Sequence, residues 1–169
     1  MFAGLPGCGK TSLARSVADR LAVTFLRIDT FESAVVSTMQ PVKDNPVGYV
    51  AAEWVAEDQL RSGRSVVVDA VNSVQIARQG WLGLADRTGA ALRFVEVICS
   101  DRLEHRRRVE SRGADWPGHD VPTWNQVRRQ QWEPFRQPRT LIDNLGDPQQ
   151  HVERILSVIG APDRSGSVG

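Results

Sequence analysis

The sequence predicts an α/β protein of three layers, in which helices cover both faces of a parallel sheet. Short apolar runs alternate with segments of helical periodicity, and strands joined through helices form right-handed parallel crossovers. A glycine-rich turn joins the first apolar residues to a helix, as in folds that bind ligands at the carboxyl ends of their strands. The chain has 169 residues, 41% of them hydrophobic, enough for one core. We expect one domain over residues 1–160 and a flexible tail at 161–169.

The first half of the chain predicts three strands and three helices. The strands are short apolar segments at residues 1–3, 24–28 and 65–68, and the third, rich in valine, suits a strand covered on both faces. The helices follow from apolar residues spaced three and four apart. They are predicted at residues 10–21, 30–39 and 47–61; the third has Val47, Val50, Ala51 and Trp54 aligned and Gly63 as its stop.

The second half predicts two further strands, at residues 91–99 and 140–142. Its helices are predicted at residues 75–87, 102–110, 123–132 and 148–159, and the last keeps Val152, Ile155, Leu156 and Ile159 on one face. Among the tryptophans, Trp54, Trp81 and Trp132 are predicted to pack in the core. Trp116 lies in a glycine-rich loop and is a candidate ligand contact.

The first predicted strand is unusually short. Only Met1, Phe2 and Ala3 precede Gly4, whereas a strand has about five or six residues. We therefore expect that the natural chain begins a few residues upstream or is trimmed, which the intact mass of the natural protein tests.

Charge and cysteine content exclude several classes of protein. Lys plus Arg is 21 and Asp plus Glu is 20, so the net charge of +1 gives no support to a nucleic-acid coat or a polybasic membrane binder. No window approaches the run of about 20 apolar residues that spans a membrane. The two cysteines, Cys8 and Cys99, form no disulfide framework and fit a reducing cytoplasm. The scattered histidines give no structural metal site.

The strongest motif is a phosphate-binding loop at residues 4–11, which matches GxxxxGK[ST] between a strand and a helix. Glycines in this loop let successive amide groups converge on a phosphate at the positive end of the helix dipole. Lys10 is predicted to reach the β and γ phosphates, and Thr11 to bind Mg²⁺. The alternative is a glycine-rich turn that only caps the helix. The predicted nucleotide ligands are Gly4, Leu5, Pro6, Gly7, Cys8, Gly9, Lys10, Thr11 and Ser12.

Cys8 lies within this loop, where a helix amino terminus can lower the pKa of a thiol. The sequence leaves two interpretations open, a redox-sensitive thiol or a small residue that fits the loop, and favours the second.

Acidic residues follow two of the predicted strands. Asp29 ends the second strand and is placed to accept a proton from an attacking hydroxyl group, although it could also only cap the next helix. Glu32 follows one turn later and either faces the acceptor or lies exposed. Asp69 ends an apolar strand, as in the Walker B pattern, and is the candidate Mg²⁺ ligand together with Thr11. Asn72 and Arg78 are candidate acceptor ligands, and a solvated helix arginine is the alternative for Arg78.

Five arginines fall between residues 102 and 112, ahead of a polar loop, and predict a lid at about 102–122. Phosphoryl transfer needs positive charge over the migrating group in a closed site. On a helix, Arg108 and Arg112 share a face, as do Arg102 and Arg106. The alternative for some of the five is a solvated basic face paired with Glu104 and Glu110.

These motifs resemble the small P-loop kinases, the group of polynucleotide kinase, chloramphenicol phosphotransferase and zeta-type toxins, and most closely the bacterial "AAA family ATPase / predicted kinase" branch. The resemblance rests on residues 2–15, 26–32, 66–72 and 97–112, with 121–135 particular to the branch. It implies a five-stranded sheet of order 2-3-1-4-5 and ATP as donor.

The resemblance also implies roles for single residues. Asp29 stands at the position of the acceptor-activating aspartate of polynucleotide kinases. Arg108 and Arg112 are spaced like paired lid arginines, of which one stacks on adenine and one holds phosphates; adenine also packs near residues 144–148. Glu32 departs from the pattern, since polynucleotide kinases carry a substrate-binding arginine there, and this argues against a nucleic-acid end as acceptor.

The sequence thus favours a cytoplasmic phosphotransferase, monomeric or homodimeric, that uses ATP and Mg²⁺ on an unidentified small-molecule hydroxyl. In it Asp29 is the base, and Lys10, Arg108 and Arg112 stabilise the transition state. A regulatory ATPase without an acceptor and a nucleic-acid end kinase are the alternatives. The balanced charge disfavours the second alternative.

Overall fold

A computed structural model describes residues 1–38, 46–115 and 121–160. Its elements in chain order are β1 Phe2–Ala3, α1 Lys10–Leu21, β2 Thr24–Arg27, α2 Ile28–Thr38, α3 Val47–Arg61, β3 Val66–Asp69, α4 Gln75–Thr88, β4 Phe94–Ile98, α5 Arg102–Glu110, α6 Trp124–Arg129, β5 Arg139–Asp143 and α7 Pro148–Ile159. The flexible tail predicted at 161–169 lies outside the described residues. None of the described helices is long and apolar enough to cross a membrane.

The strands form one sheet in the order β2-β3-β1-β4-β5, and every neighbouring pair is parallel. The predicted α/β class and strand order are therefore confirmed. In the register of the sheet, Asp69 lies opposite Phe2 on one side and Arg27 on the other. Because these are the carboxyl ends of parallel strands, the loop after β1, the end of β2 and the end of β3 converge on one edge of the sheet.

Two apolar clusters hold the helices against opposite faces of the sheet. On one face, α1 and α7 bury Leu13, Val17 and Ile155 against strand residues. On the other face, α3 and α4 bury Ala52, Trp81 and further residues against β2, β3 and β4. Removing a large side chain from such a core costs about 2 to 5 kcal/mol in stability. These clusters therefore hold the strands, and the strand ends that carry the site, in place.

The prediction for the inner face of α3 was wrong. Trp54 is 68% exposed, whereas the residues that α3 buries are Gly48, Ala52 and Ala56. These small residues recur every fourth position and let α3 lie close to its neighbours. A Cβ on Gly48 would collide with Glu32 of α2. Trp81 lies in the core as predicted, and Trp132 is only partly buried.

Helix α2 begins earlier than predicted. It starts at Ile28, directly after β2, so Asp29 lies in the first helical turn and not at the end of the strand. A carboxylate in the first turn is stabilised by the helix dipole.

Candidate active site

Residues 4–12 wrap around the amino terminus of α1. Cys8 donates its backbone N–H to the carbonyl of Leu5, and Gly9 caps the helix with φ of 86°. A side chain on Gly9 would collide with Nδ2 of Asn144, and one on Gly7 with Val109 of α5. The loop is therefore closely packed from behind, and only glycine fits these two positions.

Asn144 and His105 support the loop from behind, a role that the sequence analysis did not find. Asn144 follows β5 and donates from Nδ2 to the carbonyl of Cys8 at 2.9 Å. Nε2 of His105 on α5 lies 2.8 Å from the carbonyl oxygen of Pro6, within hydrogen-bond distance. The only sequence signal for Asn144 was its position after a strand, where the resemblance placed contacts to adenine. These bonds tie the carbonyls of Pro6 and Cys8 to α5 and to the residue that follows β5.

Cys8 is fully buried in this packing. Burial raises the pKa of its thiol to about 11, so the thiol stays protonated and unreactive at neutral pH. This supports the interpretation of Cys8 as a small residue that fits the loop.

Lys10 and Asp69 form a buried ion pair beside the phosphate-binding loop. Nζ of Lys10 lies 3.6 Å from Oδ1 of Asp69, and the side chains are only 5% and 1% exposed. Neither carboxylate oxygen of Asp69 has a hydrogen-bond partner among the described residues. A buried carboxylate without such a partner is costly unless a cation or a water ligand completes its environment.

This environment fits Mg²⁺. The ion keeps several waters and takes one or two protein oxygens together with phosphate oxygens. Asp69 offers two such oxygens, and Thr11, the second residue of α1, lines the adjoining cleft. The described residues contain no group of three or more His, Cys, Asp or Glu side chains able to hold a metal by themselves.

Asp29 is held by cations on both sides. Its Oδ2 accepts a hydrogen bond from Nη2 of Arg27 at 2.7 Å and lies 3.6 Å from Nη2 of Arg112. Burial alone raises the pKa of Asp29, but the charges of Lys10, Arg27 and Arg112 outweigh it and hold that pKa below its usual value. The carboxylate is therefore ionised and able to accept a proton at neutral pH.

Asp115 completes a network of two guanidinium groups and two carboxylates. Its Oδ2 accepts from Nη2 of Arg27 at 2.5 Å and from Nη2 of Arg112 at 2.9 Å. We call these four residues, Arg27, Asp29, Arg112 and Asp115, the Arg27 network. Arg27 and Asp115 were not predicted as site residues, because an arginine at a strand end and an aspartate in a polar loop belong to no motif.

Of the five clustered arginines, only two reach the cleft. Arg108 donates from Nη1 to the backbone carbonyl of Asn144 and from Nε to Glu104, and Arg112 belongs to the Arg27 network. Hydrogen bonds from Arg107 and Arg108 lower the pKa of Glu104 to about 2, so Glu104 remains a charged anchor for Arg108. Arg106 and Arg107 pair in solvent with Glu110 and Glu104, as the alternative interpretation had it.

The cleft between these groups has a volume of about 400 Å³. Its cationic lining residues are Lys10, Arg15, Arg27, Arg108 and Arg112, and Asp115 is the acidic residue that lines it. A pocket of this charge favours a polyanion. The predicted lid is described only in part, and Trp116, the candidate nucleotide or acceptor contact, lies outside the described residues.

Asn72 and Arg78 lie away from the cleft, and this corrects the prediction that they bind the acceptor. Arg78 is fully buried and donates to the backbone carbonyls of Asn72, Ser73, Glu133 and Pro134. Its guanidinium also lies 3.8 Å from the ring centre of Phe135. The Asn72 side chain is buried as well, donating to the Phe2 carbonyl and accepting from Trp81. Arg78 joins the loop after β3 to the segment around Glu133, and Asn72 joins that loop to β1 and α4.

Glu32 lies one turn after Asp29 and remains accessible to solvent, beside Gly48 of α3. Partial removal from water, together with the charge of Asp29, raises the pKa of Glu32 above its usual value. Nearby, the hydroxyl of Tyr49 accepts a hydrogen bond from the backbone N–H of Asn72.

Comparison with known proteins agrees with this geometry. A family profile described as "AAA domain" matches residues 1–138. A search of curated proteins gives no match.

Three solved structures show the same fold over nearly the whole chain. The APS kinase CysC of Mycobacterium tuberculosis, in complex with AMPPNP and APS, has 17% identity and a TM-score of 0.70, with 95% of each chain covered. A gluconokinase from Sinorhizobium meliloti has 18% identity and a TM-score of 0.64, covering 92% of this chain and 87% of its own. Kti12 of Chaetomium thermophilum, in complex with ADP-AlF3, has 18% identity and a TM-score of 0.62, covering 95% and 98%. The chain therefore has the fold of small P-loop kinases, as the resemblance implied.

Proposed function

The chain belongs to the AAA domain family, and from its P-loop kinase fold and the geometry of its cleft we propose that it is a phosphotransferase dependent on ATP and Mg²⁺. It transfers the γ-phosphoryl group to a hydroxyl of a small molecule. The convergence of Lys10, Asp69 and Asp29 beside the phosphate-binding loop carries this proposal. A phosphate site alone is common to many nucleotide-binding proteins, whereas an ionised carboxylate next to it is suited to accept a hydroxyl proton.

The donor phosphates are proposed to lie against residues 4–12. The backbone amides at the amino terminus of α1 face the anion, and the ammonium of Lys10 sits at the same end of the helix. Arg108 is held by Glu104 and the carbonyl of Asn144, close to Gly9 of the loop. There it is placed to neutralise charge on the nucleotide.

Thr11 and Asp69 are the residues proposed to hold Mg²⁺. When bound, the ion supplies a positive charge that offsets the charge on the phosphate oxygens. Asp69 is kept in place by Lys10 at 3.6 Å and by Nε of Arg27 at 3.9 Å.

Asp29 is proposed as the base. It accepts the proton of the acceptor hydroxyl, the hydroxyl oxygen forms a bond to the γ phosphorus, and the bond from that phosphorus to the β,γ-bridging oxygen breaks to release ADP. Arg112 faces Asp29 and offers positive charge to the transferring group.

Several further features fit this assignment. Cys8 and Cys99 are free and buried, consistent with the proposed cytoplasmic location. The similar structures include two with nucleotide analogues, AMPPNP and ADP-AlF3, and kinases named for APS and gluconate, whose acceptors are small molecules.

The test is a screen of small hydroxyl compounds for acceptor-stimulated ADP release, with mass detection of the phosphorylated product. With an active acceptor, Asp29→Asn is expected to reduce transfer about 10²- to 10⁴-fold, because the proton loses its base. Affinity for Mg·AMPPNP is expected to change less than about threefold. Asp19→Asn, an exposed aspartate on α1, is the matched control.

A nucleotide complex whose ADP release responds to no acceptor contradicts the proposal and favours a regulatory ATPase. Equal loss of nucleotide binding and transfer in Asp29→Asn removes the role of base from Asp29.

A further inference from the structure

The carboxylate of Asp115 bridges two guanidinium groups inside the cleft. Its Oδ2 lies 2.5 Å from Nη2 of Arg27 and 2.9 Å from Nη2 of Arg112. The same two nitrogens face Asp29, at 2.7 Å and 3.6 Å. Two carboxylates therefore share two cations, and the proposed reaction uses only one of these carboxylates.

The partners in this contact differ in burial. The Arg27 side chain is 7% exposed at the end of β2, whereas that of Asp115 is 38% exposed, beyond the end of α5. The Arg27 guanidinium is thus fixed at the edge of the sheet, and the carboxylate that covers it belongs to solvent-exposed Asp115. An accessible carboxylate is the member of such a pair that a dissolved anion can replace, because water already reaches it.

The balance of charge also points to an anion at this place. Among the described residues, Lys10, Arg27 and Arg112 lie against Asp29, Asp69 and Asp115, and Arg15 and Arg108 line the same cleft. Removal of Asp115 takes one carboxylate away from Arg27 and Arg112, and a buried cation that loses a counter-charge is costly. Hydrogen bonds from Arg27 hold the pKa of Asp115 below its usual value, so its carboxylate occupies the contact as an anion.

We propose that Arg27 and Arg112 form a binding site for an oxyanionic group of the acceptor, a carboxylate or a phosphate ester, and that Asp115 fills this site in the free protein. This inference rests on the proposed function and narrows its acceptor to an anionic alcohol. Guanidinium groups bind these two oxyanions with paired N–H donors, which an ammonium does not provide. Since Asp29 is bonded to the same Arg27 nitrogen, the anionic group and the reacting hydroxyl lie on neighbouring parts of one small molecule.

The first experiment uses the full chain saturated with Mg·AMPPNP, so that the phosphate-binding loop is filled. Sodium sulfate, a simple oxyanion, is then titrated at constant ionic strength while the side-chain Nε–H signals of the arginines are followed by NMR. We expect the signals of Arg27 and Arg112 to shift. Asp115→Ala is expected to bind sulfate at least fivefold more tightly than the unaltered chain, because the internal competitor is gone.

Two further variants complete this experiment. Glu110→Ala removes a carboxylate that pairs with exposed Arg106 on the same helix, and we expect it to leave sulfate affinity unchanged. Arg112→Gln is expected to weaken sulfate binding about tenfold or more and keeps the test decisive if variants of buried Arg27 fail to fold. Sulfate that shifts neither arginine signal, or equal affinity in Asp115→Ala and the unaltered chain, overturns the inference.

A second experiment distinguishes the sources of the anion. Glycerol, glycerate and glycerol 3-phosphate offer the same hydroxyl chemistry with no anion, a carboxylate and a phosphate, and each is added to the sulfate complex. We expect the two anionic compounds to displace sulfate, the stronger of them identifying the preferred group, and glycerol to leave it bound. Displacement by glycerol as efficient as that by the anions contradicts the inference. Failure of Mg·AMPPNP to bind at the outset is a separate result, which counts against the proposed function itself.

Discussion

The phosphate-binding loop and the Arg27 network lie side by side in one cleft but are held in place by different forces. The loop is fixed by backbone hydrogen bonds and by close packing against Asn144 and Val109. The Arg27 network is fixed by ion pairs between side chains from β2, α2 and the segment after α5. We infer that the first region is preformed for the nucleotide, whereas the second rearranges when an anion competes for its cations.

Arg78 offers the largest expected effect, and it tests whether a buried cation outside the cleft belongs to either region. Its guanidinium serves four backbone carbonyls, so Arg78→Gln is expected to lower the free energy of unfolding by about 3 to 5 kcal/mol. Urea unfolding measures this, with Arg106→Gln on exposed α5 as control. Unchanged stability with loss of phosphoryl transfer would instead return Arg78 to the acceptor site.

Lys10→Ala probes the preformed region. Loss of the ammonium removes a phosphate partner and takes the closer of two cations away from buried Asp69, so affinity for Mg·ATP is expected to fall roughly 30-fold or more. Calorimetric titration measures the affinity. Arg20→Ala, on the exposed face of the same helix, is expected to bind normally. Equal affinity in Lys10→Ala and Arg20→Ala would exclude Lys10 as a phosphate ligand.

Comparison of Gly9→Ala with Gly63→Ala separates the cost of packing at Gly9, in the loop, from the cost of backbone strain, which both variants share. Both glycines have positive φ, of 86° and 73°, but only a side chain at Gly9 meets another group, Asn144. Gly63→Ala is expected to cost about 1 kcal/mol from strain alone. Gly9→Ala is expected to cost about 1 to 2 kcal/mol more and to weaken Mg·AMPPNP binding. Similar stabilities would show that the loop yields to the added methyl group.

The Arg27 network predicts a smaller, pH-dependent effect. The pKa values of Asp29 and Asp115 are lowered in the folded chain, so their contribution to stability is complete above the ordinary aspartate pKa. It is lost as the pH falls through the lowered values, below about pH 4. Between pH 6 and pH 3 the free energy of unfolding is expected to fall less steeply in Asp115→Asn than in the unaltered chain, by less than about 1 kcal/mol. Urea unfolding at each pH measures this. A slope equal to that of the unaltered chain, with Asp19→Asn as control, would show that Asp115 has no ion pair in solution.

What could be predicted from the sequence follows the same division. Local patterns predict the loop, α1 and the position of Asp69 at the end of β3, namely glycine spacing and an apolar run that ends in an acid. The strand order was implied only by the resemblance to the small P-loop kinases. Arg27 and Asp115 are 88 positions apart, and nothing local marks them as partners. Their contact depends on how α5 lies over the sheet edge, which is set by tertiary packing.

The errors at Trp54 and Arg78 have the same origin. Trp54 was assigned to a core face because apolar residues align on α3, but small residues on another face allowed closer packing and left the indole in solvent. Arg78 was predicted to bind the acceptor because it lies in the first helical turn after β3, with a solvated helix arginine as the alternative. Burial by Trp132 and Phe135, from a segment 55 residues away, instead made it a structural donor.

The central claim is that backbone amides at the front of α1, together with Lys10, hold the triphosphate of ATP. An NMR titration of the isotope-labelled chain with Mg·AMPPNP tests it most directly. We predict that the largest amide shifts fall at residues 7–12, with smaller shifts around Asp69. Binding without shifts at residues 7–12, or no binding by folded protein in magnesium buffer, would contradict the account.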